Sequence, residues 1–255
     1  MKDSKYISLL LLTLSIFGFI TIWWILSLFF KPEFFPSPFL VFGEVKSIFV
    51  MGDFFKHMGK TLVRIILGFS ISMILSLFLG IIMGKSYYVE KLLEPEILIG
   101  LTIPALAWSI ISIMWFGLKD TAAVFAIVML ITPMITVNIL QGVKNLDKSL
   151  IEMGMSFKAN KKMILREIVI PQLMPYILAG SRFGLGLAWK VVVIAEMLGL
   201  TNGIGYMIAF WFGMFSMKGV LAWTLSFTIV MFILEYGILA PLEKKWAQWR
   251  PKAQI

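Results

Sequence analysis

Apolar residues gather into long runs along this chain, and polar residues fall mainly in the gaps between those runs. A bilayer-spanning helix requires about 20 consecutive, predominantly apolar residues. Six such spans are predicted, over 7–30, 61–84, 96–116, 121–141, 173–198 and 220–240. The chain therefore reads as an all-α polytopic membrane protein with six transmembrane helices. The first run is too long for a signal-peptide core and has no small-residue cleavage pattern behind it, so it reads as a retained span. The pattern divides near residue 60. Residues 1–60 hold the first span and an outer loop with a short interfacial helix, and residues 61–255 hold a five-helix core with a cytoplasmic loop at 143–172.

Composition agrees with that pattern. Of the 255 residues 60% are hydrophobic and 15% charged, and the mean hydropathy is +0.92. A formal charge of +9 invites a nucleic-acid reading, but the cations lie between apolar runs, where retention of Lys and Arg on the cytoplasmic side puts them. With the N-terminus inside, Lys2, Lys5, Lys85, Lys91, the group from Lys144 to Arg166 and the tail cations Lys244, Lys245, Arg250 and Lys252 are all cytoplasmic. Lys31, Lys46, Lys56, Lys60, Lys119 and Lys218 are then outside, and both termini are cytoplasmic. Without cysteine and with His57 the sole histidine, thiolate chemistry and a multi-histidine metal site are excluded.

The outer loop places Phe39, Leu40, Phe42, Val45, Ile48 and Phe49 at a spacing that suits a helix lying on the membrane surface. Pro104 and Pro133 fall within the third and fourth spans, where a missing N–H is expected to kink a helix. Gly80 with Gly84, and Gly180, Gly184 and Ala188, repeat small residues every fourth position, a packing pattern. Two phosphate-loop lookalikes fail: "GIIMGKS" has Leu79, and "MGKT" has Phe54, where the pattern needs glycine. The four aspartates are scattered outside the spans, and no nucleophile sits beside a base, so catalysis by this chain is not expected.

One break stands apart. Residues 149–175 read "SLIEMGMSFKANKKMILREIVIPQLMP". Ser149 and Glu152 form S-x-x-E, a capping box that predicts a helix from Leu150. Leu150, Met153 and Phe157 share one face of it, and Gly154 offers close approach to a partner. The polar residues 158–162 should end that helix, with Asn160 in the left-handed region. A second run should stop before Pro171. An exposed apolar face rimmed by charge marks a contact surface, either for lipid or for a groove on a soluble partner.

The stretch resembles the cytoplasmic loop of ABC-importer permeases, the binding-protein-dependent inner-membrane components. Their pattern is E-A-A, three residues, G, nine residues, I-x-L-P. Here it reads Glu152, Met153, Gly154, then Lys158, then Ile168, Ile170 and Pro171. Lys158 stands at the family glycine, where positive φ strains a side chain, so the turn is expected to differ or to move toward Asn160. "FFPSPFLV", "TIPALAWSIISIMWFG" and "SRFGLGLAWKVVVIAEMLGLTNGIGYMI" are similar to the branch that imports nitrate, taurine, aliphatic sulfonates and thiamine precursors. The resemblance implies a type I ABC-importer permease fold in the cell inner membrane. It also implies a first loop helix docked on an ATP-binding-cassette ATPase, an extracytoplasmic substrate-binding protein, and a second permease copy, with a homodimer expected. ATP and Mg would belong to the ATPase, and alternating access would carry a small, anionic solute. The alternatives are an ion-gradient-driven transporter or channel acting alone, and a scaffold that binds an ATPase without transporting.

Charged residues inside spans are functional candidates. Arg182, Trp189 and Glu196 recur every seven residues on one face, and Lys190 lies beside them. Together with Thr102, Pro104, Trp108, Pro133 and Asn138 they form the candidate translocation path. The alternative for the charges is pairing with one another or with a neighbouring helix.

Overall fold

The structure is a computed structural model that describes residues 2–239 and 241. Among these residues every regular element is helical: α1 (Lys2–Ser27), α2 (Pro38–Met51), α3 (Asp53–Lys85), α4 (Tyr87–Thr102), α5 (Ala105–Phe116), α6 (Asp120–Lys144), α7 (Lys148–Ser156), α8 (Lys161–Ile164), α9 (Ile170–Gly199), α10 (Ile204–Gly213) and α11 (Met217–Leu234). Five helices are long and apolar enough to cross a membrane, or six when α4 and α5 count as one bent span.

That bend corrects the third predicted span. α4 and α5 meet at 99°. Ile103 precedes a proline and is extended (φ −69°, ψ 124°), as ring contact with the preceding residue demands. Pro104 is extended too, and its carbonyl accepts the first hydrogen bond of α5, from Trp108 N–H at 3.2 Å. Pro133 behaves differently. It lies inside an unbroken α6 and packs against Gly100 of α4, where a Cβ would overlap its ring.

The fifth predicted span starts too late and its break is misplaced. α8 runs through a π-helical turn, Leu165–Val169, directly into α9, giving one rod over Lys161–Gly199. Ile170 N–H donates to Leu165 O, five residues back, and this widened turn accommodates the ring and missing N–H of Pro171. The sixth span is described over Met217–Gly237. Its predicted end at Ala240 and the tail cations Lys244, Lys245, Arg250 and Lys252 lie outside the described residues.

α6 is the central helix. Ile127, Ile131, Ile135 and Ile139 recur every fourth residue, all fully buried between α3 and α9. Gly68 and Gly80 of α3 and Gly184 of α9 admit those isoleucines, because a Cβ at each would overlap their side chains. A second core joins α2, the start of α3, α10 and α11 through Val41, Phe54, Met58, Ile204 and Trp223. The predicted interfacial helix is thus α2, but it is seated on the bundle by Val41 and Ile48 and tied to α11 by Glu44–Lys218 at 2.8 Å. α1 stands apart, with its described side chains largely exposed; Trp23 Nε1 donates to Pro36 O at 3.0 Å.

Candidate functional site

The linkers at one end of the bundle build a protruding helix. α3 arrives there at Lys85 and α6 at Lys144, where Lys144 pairs with Glu90 of α4 at 2.6 Å. α7 follows. Its N-cap is Asp147, which corrects the predicted Ser149–Glu152 box: the Asp147 carboxylate accepts from Ser149 N–H at 2.9 Å and from its hydroxyl at 2.6 Å. Those two hydrogen bonds hold the Asp147 carboxyl below its ordinary pKa of 3.8. Asp147 N–H in turn donates to Gln172 Oε1 at 2.8 Å, so the start of α7 is tied to α9.

The turn after α7 stays at the family glycine position. Lys158 takes φ 57°, Lys158 N–H donates to Met155 O at 2.8 Å, and Ala159 N–H donates to Gly154 O at 3.0 Å. This is the hydrogen-bond pair of a Schellman cap with lysine in the left-handed position. Asn160 is not left-handed (φ −73°); it caps α8, accepting from Met163 N–H at 2.8 Å. Gly154 is buried, and the partner it admits is the chain's own Ile168, which lies 2.9 Å from where a Cβ would stand. Leu150, Met153 and Phe157 remain exposed, Phe157 by 80%. Glu152 is exposed and Pro171 half-buried at the foot of α9. The result is a short helix with an unpartnered apolar ridge, rooted on a long transmembrane rod.

A cavity of about 470 Å³ with charged residues in a largely apolar lining opens against α9. Arg182, Phe183, Gly186 and Lys190 line it, together with Met134 of α6 and Glu235. Arg182 lies 3.7 Å from Glu235, both about half exposed.

The remaining path candidates lie elsewhere. Trp189 packs between the two cores. Trp108 is buried in α5, Thr102 is exposed in the last turn of α4, and Pro104 forms the α4–α5 corner. Asn138 donates to Met134 O at 3.0 Å and lies against Gly180.

Glu196 is fully buried at the opposite end of the bundle from α7. It accepts from Arg64 Nη1 at 2.6 Å, from Thr61 Oγ1 at 2.9 Å and from Gly205 N–H at 2.8 Å. Arg64 also donates to Asn202 O at 2.9 Å and to the Asp120 carboxylate. His57 Nδ1 accepts from Gly203 N–H at 3.0 Å, so its proton sits on Nε2. Gly203 (φ 114°) is obligatory, because a Cβ there would overlap the Glu196 carboxylate. This clamp fixes α3, the start of α6, the end of α9 and α10 to one another. Sequence reasoning did not single out Thr61, Arg64, Asp120 or Asn202 as a group. The available signal was Arg64 standing inside an apolar run.

The pattern described as "Binding-protein-dependent transport system inner membrane component" matches residues 72–245. The chain is 29% identical to the taurine transport system permease protein TauC of Escherichia coli K12, covering 98% of this chain and 93% of that one. It is 36% identical to a putative ABC transporter permease protein of Methanocaldococcus jannaschii over 73% of this chain and 70% of the other. It is 30% identical to the nitrate import permease protein NrtB of Synechococcus elongatus over 74% and 72%. Among solved structures, an amino acid ABC transporter superposes with a TM-score of 0.63 at 18% identity, covering 78% of this chain and 97% of that one. The MetNI methionine ABC transporter in an inward-facing form gives 0.64 at 12% identity, with 75% and 94% covered. These two likenesses speak to the fold.

Proposed function

The chain belongs to the family of binding-protein-dependent transport system inner membrane components, and from that premise we propose how this permease subunit of an ABC importer works. It is a transport subunit, and hydrolysis of ATP falls to a separate partner. α7 docks in a groove of that ATPase, with Leu150, Met153 and Phe157 as the buried contacts and Glu152 at the rim. Two copies of the chain form the membrane part, with α7 and both termini on the cytoplasmic side. The end that holds the Arg64–Glu196 clamp faces the external binding protein. ATP and Mg are held by the ATPase, and this chain carries no cofactor.

The observation that carries this reading is the rooting of α7. Gly154 seats the helix on Ile168 of the rod that becomes α9, while the apolar ridge stays open. A push on the ridge is thereby delivered to the helix that lines the cavity. Differential contact in two states is what coupling requires, and it supports alternating access driven by the ATPase.

The substrate we assign is a small anionic solute. Relatives are named for transport of taurine, aliphatic sulfonates, nitrate and formylaminopyrimidine, and the first three groups carry an anionic moiety. Lys190, which opens to the cavity against α9, supports the same class.

The test is assembly followed by coupling. The wild-type chain should co-purify with a stoichiometric ATPase, and added binding protein should stimulate hydrolysis in proteoliposomes. Phe157→Asp, an exposed position, should leave the chain folded and reduce ATPase capture at least tenfold. Robust transport by this chain without an ATPase would overturn the reading.

A further inference from the structure

We infer that the turn joining α7 to α8 is a second point of contact with the ATPase, where Lys158, Lys161 and Lys162 meet a carboxylate-bearing rim at the end of the groove that receives the apolar ridge.

The three lysines stand where local physics opposes them. Lys158 holds φ 57°, a left-handed backbone that strains a side chain and leaves glycine unstrained. Lys161 and Lys162 open α8 directly after its cap, Asn160. The unpaired N–H groups and macrodipole at a helix start favour acidic residues and disfavour cations. Retention of cations on the cytoplasmic side asks for lysine somewhere in the loop, but not at these positions. Residues held against local preference point to function at that place.

Nothing nearby balances them. From residue 148 to 167, five cations stand against two carboxylates. Glu167 lies 3.6 Å from Arg166, and Asp147, just before the stretch, is engaged by Ser149. Lys158, Lys161 and Lys162 are exposed, and their ammonium groups form no ion pair among the described residues.

Depth decides between a membrane surface and a soluble partner. The rod from Lys161 to Gly199 has 39 residues, about 58 Å at 1.5 Å per residue. A tilt of about 20° leaves about 55 Å along the bilayer normal, against about 40–45 Å for a bilayer with its headgroups. With Gly199 at the outer surface, Lys161 stands about 10 Å past the inner headgroups. The surface potential of anionic lipid fades within a Debye length of about 8 Å.

The ridge, by contrast, is adjacent. It ends at Phe157, 80% exposed, and Lys158 is the next residue. Ile168 and Ile164 lie 2.9 and 3.5 Å from where a Cβ would stand on Gly154, so the turn keeps a fixed place beside the ridge. A partner that covers Leu150, Met153 and Phe157 therefore reaches the lysines as well, and carboxylates on its rim balance them. Rim charges govern encounter rate, salt dependence and choice of partner. The lysines thus select an acidic-rimmed ATPase over others with an equally apolar groove.

This contact rests on the importer reading, and the experiment separates the two. The chain, in phosphatidylcholine nanodiscs, is titrated with the purified ATPase that co-purifies with it, at about 50 mM and about 500 mM KCl. Lys158→Gln combined with Lys161→Gln and Lys162→Gln should weaken binding about tenfold at low salt, and the difference should vanish at high salt. The corresponding three arginine replacements should bind as the wild type does. Lys158→Gly alone should raise the unfolding midpoint, by relieving the strained turn, and still weaken low-salt binding, a combination that a purely structural role does not produce. Equal low-salt binding by the wild type and the glutamine variant overturns the contact. A difference that appears only after phosphatidylglycerol is added to the nanodiscs assigns the lysines to lipid headgroups and overturns it too. In either case weak binding by Phe157→Asp leaves the importer reading standing. If Phe157→Asp binds as tightly as the wild type, α7 is not the docking helix, and that reading falls together with the contact.

Discussion

Arg64 serves two carboxylates in unequal surroundings. Glu196 is fully buried, whereas the Asp120 side chain is 56% exposed. Removing one partner of a buried pair costs roughly 3–5 kcal/mol, because a desolvated charge is left behind, and an exposed pair contributes about 0–1 kcal/mol. Arg64→Met should therefore lower the thermal unfolding midpoint of the detergent-solubilised chain far more than Asp120→Asn does. Equal effects would show that the clamp is not organised around Glu196. A second residue-scale expectation concerns Lys158, held at φ 57° where glycine would sit without strain. Lys158→Gly should stabilise the turn by about 1 kcal/mol, read as slower amide exchange at Ala159. None of the Arg64 pairing was legible in the sequence. Arg64 and Glu196 are 132 residues apart, and no local pattern names a partner at that range. The seven-residue spacing of Arg182, Trp189 and Glu196 suggested one common face, yet Arg182 opens to a cavity, Trp189 sits between cores and Glu196 meets α3.

At the scale of elements, α7 shows how closely a cap can be anticipated and still be misassigned. Asp147 and Ser149 are both capping residues by type. Asp147 prevails because its carboxylate can accept two hydrogen bonds at once, and its own N–H is held by Gln172. A carboxyl held below its ordinary value stabilises the helix start above about pH 3.8, where it is ionised in both states. That contribution fades as the pH falls through the lowered value. Amide exchange at Ser149 should thus accelerate, relative to its intrinsic rate, on acidification below pH 4. Asp147→Asn should show the faster exchange at neutral pH and lose the dependence. The two span prolines carried the same signal in the sequence and had opposite outcomes. Pro133 rests in the space left by Gly100, so α6 continues. At Pro104 the preceding residue turned extended, and the span broke by 99°. The π-helical turn before Pro171 was equally invisible, since widening a turn leaves no mark on apolar spacing.

At the scale of the molecule, hydropathy alone located the membrane helices, because a bilayer demands long apolar runs wherever the chain crosses it. What it could not say is which faces meet lipid and which meet a second copy, since both are apolar apart from a few charges. α9 offers a direct way to ask. The protein has no cysteine, and Gly186 has open space where a Cβ would point, so Gly186→Cys adds one thiol to the cavity face without displacing a neighbour. If two copies present α9 to one another, mild oxidation of the assembled importer should give a disulfide-linked permease dimer, because a disulfide forms only when Cα atoms come within about 7 Å. A thiol at Phe19, on the exposed face of α1, should stay monomeric under the same treatment. Cross-linking by the control and not by Gly186→Cys would place α9 against lipid, and the charged face would then have to be closed by something other than a second copy.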